Sequence, residues 1–125
     1  MNNIGRTYIL LGLLWLLAGT IFGTWIGASD HLQYGDGHAH MNLLGFVTSS
    51  LFGLFFIIMP GMTRSKLAMP QLVLFQVGSV ALVLGKILVT AGTTILPLLI
   101  GGSFAVIIGV ILMLVILWQS SNMSN

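Results

Sequence analysis

Three histidines within ten residues carry most of the chemistry that this sequence offers. His38 and His40 lie in the stretch GDGHAHMNLLGF, residues 35–46, where a long apolar run begins, and His31 precedes them in a segment that contains Gly and Asp. Histidine is the commonest metal ligand among the side chains, and ionisable groups within membrane segments are rare and usually functional. We therefore expect His38 and His40 to be metal ligands, and we expect that His31, which lies outside the apolar run, is not. The chain contains no cysteine, so thiolate ligands and disulfides are excluded.

The spacing of His38 and His40 restricts what the two residues can hold. On a regular helix, with about 100° per residue, their side chains project roughly 200° apart. One chain therefore cannot bring both imidazoles to one small ion or to the two faces of one haem, whereas two cofactors or two subunits would suit diverging ligands. Met41 shares the helix face of His38, which precedes it by three positions, so Met41 is a candidate soft ligand on that side.

The composition indicates that lipid covers most of the chain. Of its 125 residues, 57% are hydrophobic and 5% are charged, whereas a soluble domain carries about 25% charged residues. Four apolar segments reach the roughly 20 residues that cross a bilayer: residues 8–27, 40–59, 67–90 and 96–118. Their short connections predict an all-α integral membrane protein of four antiparallel transmembrane helices, which form a single domain over residues 1–125. The first segment is longer than the apolar core of a signal peptide, about 7–15 residues, so we expect a retained helix.

The charged residues predict the orientation of the chain in a cell (inner) membrane. Arg6 precedes the first segment, and Arg64 and Lys66 lie between the second and third segments, whereas Asp30 and Asp36 lie between the first and second. Basic residues favour the cytoplasmic side of a membrane. We therefore expect both termini in the cytoplasm and the three histidines near the outer face. The excess of four basic over two acidic residues is too small to favour a nucleic-acid partner.

Small residues recur at a spacing of four in each segment. These are Gly19, Gly23 and Gly27 in the first, Gly45, Ser49 and Gly53 in the second, Ala81 and Gly85 in the third, and Gly101, Ala105 and Gly109 in the fourth. Such faces are typical of close helix–helix packing in lipid. The spacing alone leaves two interpretations open, namely ordinary packing or room for a flat cofactor.

The stretch GHAHMNLLGF at the outer end of the second segment resembles the haem-binding helices of subunit I of the haem–copper oxidases. It also resembles short four-helix relatives of that subunit with the pattern His-x-His-x-Asn-Leu-Leu-Gly. Subunit I has twelve helices in three arcs of four, and one helix carries a His-x-His pair whose members serve two haems on opposite sides. The resemblance implies that the chain corresponds to one such arc and binds haem b through His38 and His40.

Other parts of the oxidase machinery are missing from the sequence. It has neither the histidines that hold copper nor a histidine–tyrosine element on a later helix, and no carboxylate lies within the four apolar segments. Oxygen reduction by the chain alone is therefore not expected, and electron transfer or redox or gas sensing is the implied function. Lys86, near the outer end of the third segment, is expected either to extend toward the interface or to pair with a haem propionate. Tyr34, Asp36 and Asn42 are candidates for orienting a histidine N–H group.

The diverging histidines also predict the assembly. His38 of one subunit and His40 of the next could reach a shared iron from opposite sides, and such head-to-tail contacts close into rings. Three copies would reproduce the twelve helices of subunit I, so we expect a homotrimer with haem at its interfaces. A dimer with a symmetric His40–haem–His40 arrangement is the second choice. The face of Gly45, Ser49 and Gly53 is expected to permit the close approach of subunits.

Two other functions stay open at this point. One is a structural or assembly subunit of a respiratory complex that holds no cofactor. The other is a copper- or zinc-binding membrane protein that uses His31, His38 and His40 at the outer mouth of the bundle.

Overall fold

The computed structural model describes residues 3–123, with side chains from 3 to 120, and its regular elements are helices. They are α1 (Ile4–Ser29), α2 (Gly35–His40), a π-helix (Met41–Thr48), α3 (Ser49–Ile58), α4 (Ala68–Thr90) and α5 (Leu96–Met123), with short 3-10 turns at Leu32–Tyr34 and Pro60–Arg64. α2, the π-helix and α3 follow one another without a break, and we call them together the second span. No strand occurs between residues 3 and 123.

Four helices are long and apolar enough to cross a membrane. They are Ile4–Ser29, Leu32–Ile58, Ala68–Thr90 and Leu96–Ser120. The predicted all-α architecture with four membrane-length helices is therefore confirmed, and it is compatible with an integral membrane protein. The largest difference in boundaries concerns the second helix, which begins before His40, so that His38 and His40 both lie within it.

The helices pack as neighbours in chain order. α1 lies along the second span, and α4 and α5 form an extensive antiparallel pair. α5 also contacts the Pro60–Arg64 turn, and α4 contacts α2. The start of α1 and the Pro60–Arg64 turn thus share one end of the bundle, which we call the basic end, while α2 lies at the opposite end, which we call the histidine end.

Glycines on α1 allow it to approach the second span closely. Gly5, Gly12, Gly19 and Gly23 all face that span. A Cβ atom on Gly5 would lie 2.9 Å from the backbone oxygen of Gly53, which is too close for any side chain. Ordinary packing therefore accounts for Gly19 and Gly23 of the predicted stripe, whereas nothing lies within 4 Å of a Cβ atom on Gly27.

The face of Gly45, Ser49 and Gly53 is used in the same way, and the expectation that it contacts another subunit is wrong. Gly45 lies against the indole ring of Trp15. Ser49 is fully buried, and a Cβ atom on Gly53 would lie 2.8 Å from the backbone oxygen of Gly5. These three residues are therefore covered within the chain.

Small residues also bring α4 and α5 together. A Cβ atom on Gly102 would lie 2.6 Å from the backbone nitrogen of Leu82, and one on Gly78 would lie 2.7 Å from the Cβ atom of Ala105. By contrast, nothing lies within 4 Å of a Cβ atom on Gly101. The predicted packing position at Gly101 is therefore wrong by one residue, since Gly102 makes the contact.

Two glutamines of α4 tie the helices together in the apolar interior. The hydroxyl of Tyr8 donates to Oε1 of Gln71 at 2.6 Å, and Nε2 of Gln71 donates to the backbone oxygen of Gly109 at 3.0 Å. This arrangement links α1, α4 and α5, and both Tyr8 and Gln71 are fully buried. Polar groups in lipid need such partners because no water is present to satisfy them.

The second glutamine links a different set of helices. Nε1 of Trp15 donates to Oε1 of Gln76 at 3.0 Å, and Nε2 of Gln76 donates to Oγ of Ser49 at 2.8 Å. α1, α4 and the second span are thereby joined through side chains. This second bridge fixes the span that carries His38 and His40 against α1 and α4.

The π-helix lies directly after the two histidines. It covers Met41–Thr48, and the hydroxyl of Thr48 donates to the backbone oxygen of Leu43, five residues earlier, at 2.9 Å. π-helical segments are rare and often occur at functional sites. The π-helix therefore changes the direction in which the side chains of α2 point relative to those of α3.

Candidate functional site at the histidine end

His38 points toward α1. A Cβ atom on Gly23 would lie 2.6 Å from Cε1 and 3.0 Å from Nε2 of His38. The imidazole therefore occupies space that only a glycine leaves free. The contact places His38 between two helices of the same chain.

The polar atoms around His38 are only partly satisfied. Nε2 of His38 and Nδ2 of Asn42, one turn later, are 3.2 Å apart. Nδ1 of His38 and Oδ1 of Asn42 are buried and have no hydrogen-bond partner among the described residues. Each buried polar atom without a partner costs about 1–3 kcal/mol, and such atoms are uncommon in native proteins. The His38–Asn42 pair is therefore a polar group that this interface retains at a cost in stability.

His40 faces away from α1 and has a defined tautomer. Its Nδ1 lies 2.9 Å from the backbone oxygen of Asp36. A carbonyl oxygen can only accept a hydrogen bond, so Nδ1 carries the ring proton and is the donor of this bond. Nε2 then keeps its lone pair, which is the arrangement usual for histidines that bind metals. The side chain of His40 is 33% exposed, so this nitrogen is not sealed inside the helix bundle.

His40 lies in a groove on the surface of the second span, which we call the His40 groove. The groove has a volume of about 490 Å³ and is lined by Asp36, Ala39, His40, Leu43, Leu44 and Thr48. All of these residues belong to α2 or the π-helix, and so the groove lies on one helix face and not between helices. Its lining combines three apolar side chains with the imidazole of His40, the carboxylate of Asp36 and the hydroxyl of Thr48. The remaining sides of the groove are open to lipid or to another chain.

Asp36 connects His40 to α4. Nζ of Lys86 lies 2.7 Å from Oδ2 of Asp36, and Oδ1 of the same carboxylate lies 3.5 Å from Nδ1 of His40. Lys86 therefore pairs with a carboxylate of the protein itself, a partner that the sequence analysis did not predict for it. A haem propionate would have to compete with Asp36 for this lysine. The pair also fixes α2 against α4 at the depth of the histidines.

His31 belongs to an aromatic cluster at the histidine end. Its ring stacks on Trp25 with 4.5 Å between ring centroids, and its Nδ1 lies 2.7 Å from Oγ of Ser29. Tyr34 packs edge-on against Trp25 at 5.6 Å. The expectation that Tyr34 orients a metal-binding histidine finds no support in this placement, whereas Asp36 and Asn42 do contact His40 and His38.

The three histidines do not converge. Between residues 3 and 123, no group of three or more histidine, cysteine or acidic side chains could hold a metal ion. This arrangement disfavours a copper or zinc centre built from His31, His38 and His40. It leaves His40 as the histidine that is best placed to bind a group from outside the chain.

Met41 lies on the side of His38, as its spacing predicts. It is 8% exposed, and its Cβ atom would be 3.6 Å from a Cβ atom on Gly19. Met41 therefore faces α1. Its role as a soft ligand stays a prediction.

Comparison with protein-family models, with curated proteins and with solved structures gives no match for this chain. The functional argument therefore depends on the residues of the chain itself.

Proposed function

We propose that the protein is an integral membrane protein that binds haem b through His40 and serves in electron transfer or in redox or gas sensing. The observation that carries this proposal is the hydrogen bond from Nδ1 of His40 to the backbone oxygen of Asp36, at 2.9 Å. This bond holds the imidazole in the tautomer whose Nε2 can donate its lone pair to iron. The resemblance of GHAHMNLLGF to the haem-binding helices of oxidase subunit I supports haem as the bound group.

The chemistry of the His40 groove fits a haem. Ala39, Leu43 and Leu44 offer apolar contacts beside the imidazole, and a porphyrin needs such a surface together with an axial ligand. When bound, haem supplies one-electron redox chemistry whose potential depends on its axial ligands. Asp36 orients His40 through its backbone oxygen, and Lys86 holds the side chain of Asp36.

The shape of the groove supports an arrangement shared between subunits. One helix of the chain lines it, so a ligand on the opposite face of the haem has to come from another molecule. In a dimer, His40 of each subunit would supply one ligand without any change in the chain. In a trimer, His38 of one subunit would have to leave its position against Gly23. We therefore propose the dimer as the favoured assembly and retain the trimer as the alternative.

We further propose that the basic end faces the cytoplasm. Asn3, Arg6, Pro60 and Thr63 line one groove at this end, and Arg64 and Lys66 follow in sequence. The positive-inside tendency then puts the histidine end near the outer face. The terminal residues 1–2 and 124–125 lie outside the described range.

An absorption spectrum of the purified protein, oxidised and reduced, tests the proposed function. We expect a low-spin b-type haem spectrum that His40→Ala abolishes and that His31→Ala leaves unchanged, since His31 is stacked on Trp25. His38→Ala should keep the spectrum in the dimer and lose it in the trimer. A colourless wild-type protein would contradict haem binding and favour a subunit without cofactor, and bound copper or zinc in its place would favour a metal-binding protein.

A further inference from the structure

A second groove lies at the basic end, away from the histidines, and we call it the Arg6 groove. It has a volume of about 300 Å³, and its lining includes Asn3, Arg6, Phe56, Ile57, Pro60 and Thr63. It is formed by the start of α1, the end of α3 and the Pro60–Arg64 turn. The groove therefore lies where membrane helices begin and end, which is the depth of lipid headgroups.

The lining has a polar side and an apolar side. Arg6 offers a guanidinium group, and the side chains of Asn3 and Thr63 are polar, while Ile57 and Pro60 are apolar. Ile57 is 53% exposed, so the apolar side continues onto the lipid-facing surface of α3. This combination matches a molecule with an anionic head and a hydrocarbon tail.

Among the described residues, no acidic side chain pairs with the positive charge of the basic end. The chain has two acidic residues, Asp30 and Asp36, and Asp36 pairs with Lys86 at the histidine end. Arg6 forms no ion pair with any residue in the described part of the chain. A guanidinium at a membrane surface is a good partner for phosphate, because its planar N–H groups can donate two parallel hydrogen bonds.

From these observations we propose that the Arg6 groove binds an anionic phospholipid. Arg6 donates to the headgroup phosphate, and one acyl chain lies along Ile57 on the surface of α3. A free phosphate ion would use the cation but not the apolar side of the groove. The proposal does not depend on haem binding, since the Arg6 groove and the His40 groove have no lining residue in common.

Lipid binding in detergent tests the proposal. Wild-type protein is titrated with phosphatidylglycerol or phosphatidylcholine, and the bound lipid is counted by native mass spectrometry. We expect one tightly retained phosphatidylglycerol per chain and weaker retention of phosphatidylcholine. Arg6→Gln should lower retention of phosphatidylglycerol about tenfold, a factor at the low end for losing a hydrogen bond to a charged group. Arg6→Lys should retain part of the binding, because the charge remains while the forked geometry is lost.

Arg64→Gln is the matched control, since it removes the same charge from the same end without changing the lining of the groove. Equal losses in Arg6→Gln and Arg64→Gln would indicate diffuse attraction to the surface and would overturn the proposal. Equal retention of the two lipids by the wild type would overturn it as well. Displacement of the lipid by an equal concentration of inorganic phosphate would show that the acyl chain contributes nothing, and the lipid assignment would then be wrong. The last two measurements use wild-type protein and decide the matter even if Arg6→Gln does not fold.

Discussion

Asp36 is the residue on which the polar groups of the histidine end converge. Its backbone oxygen accepts a hydrogen bond from Nδ1 of His40, and its carboxylate accepts one from Nζ of Lys86. The carboxylate is 3.5 Å from the same Nδ1, so lysine and imidazole compete for it. The ion pair with Lys86 keeps the carboxylate from becoming the main partner of His40. Residues that contact a metal-binding histidine in this way commonly change the basicity of the imidazole and its affinity for the metal.

If haem binds as proposed, replacing Lys86 with Met should lower its midpoint potential, on the order of tens of millivolts. Two effects act in the same direction. The loss of a nearby positive charge favours the oxidised iron, and the freed carboxylate makes His40 a stronger electron donor. A redox titration followed by absorbance measures the shift. Lys66→Met removes one positive charge at the basic end and should leave the potential unchanged, so equal shifts in both variants would argue against a local role for Lys86.

At the scale of the helices, glycine positions determine how closely the elements approach. Gly102 of α5 packs against the backbone of Leu82, whereas Gly101 beside it faces open space. Because the contact at Gly102 is with backbone, a side chain there cannot be accommodated by a rotamer change. The two positions thus differ in packing although they are adjacent and chemically identical.

Gly102→Ala should destabilise the fold by about 1–3 kcal/mol, the usual cost of overpacking. Gly101→Ala should be neutral or stabilise by up to about 1 kcal/mol, because alanine is the better helix former. Unfolding of each variant in detergent micelles, followed by circular dichroism, gives both values. If the two substitutions had the same effect, the close contact between α4 and α5 would be wrong.

Hydropathy predicted the helices well but not their internal contacts. Runs of apolar residues identify each membrane-length helix, because length and composition alone decide whether a segment can cross a bilayer. The bond from Tyr8 to Gln71 joins positions 63 residues apart, and no local pattern reports such a pairing. The divergence of His38 and His40 follows from their spacing, whereas the position of His38 against Gly23 depends on how α1 packs. The Asp36–Lys86 pair was within reach of the sequence, since both residues were expected near the outer face with opposite charges.

For the whole molecule, the decisive feature is that the His40 groove is lined by one helix. A monomer would offer the proposed haem one imidazole at this position and would leave much of the ring to lipid. Two chains related by a twofold axis would place the same groove on both sides, as closed dimers require. The face of Gly45, Ser49 and Gly53 does not contribute to this contact, because α1 and α4 cover it.

Native mass spectrometry in detergent should therefore show a dimer with one haem for two chains. His40→Ala should lose the haem and, with it, most of the dimer, since the shared ligand links the subunits. His38→Ala is the comparison, because it should retain both haem and dimer when His38 serves only the contact with α1. A trimer with haem at its interfaces, lost in both variants, would restore the head-to-tail arrangement, and a monomer with a six-coordinate haem would exclude both assemblies.

The length of the π-helix at Met41–Thr48 determines how α2 is rotated relative to α3 within the second span. A π-helical segment corresponds to an α-helix with one inserted residue. Deleting one residue within it can therefore restore a regular α-helix without breaking the span. Such a deletion would rotate α2 by about 100° relative to α3. His40 would then leave its groove, and His38 would leave Gly23, while the apolar packing of α3 stayed intact. The length of this short segment therefore determines which way the two imidazoles point, independently of how α3 packs against α1.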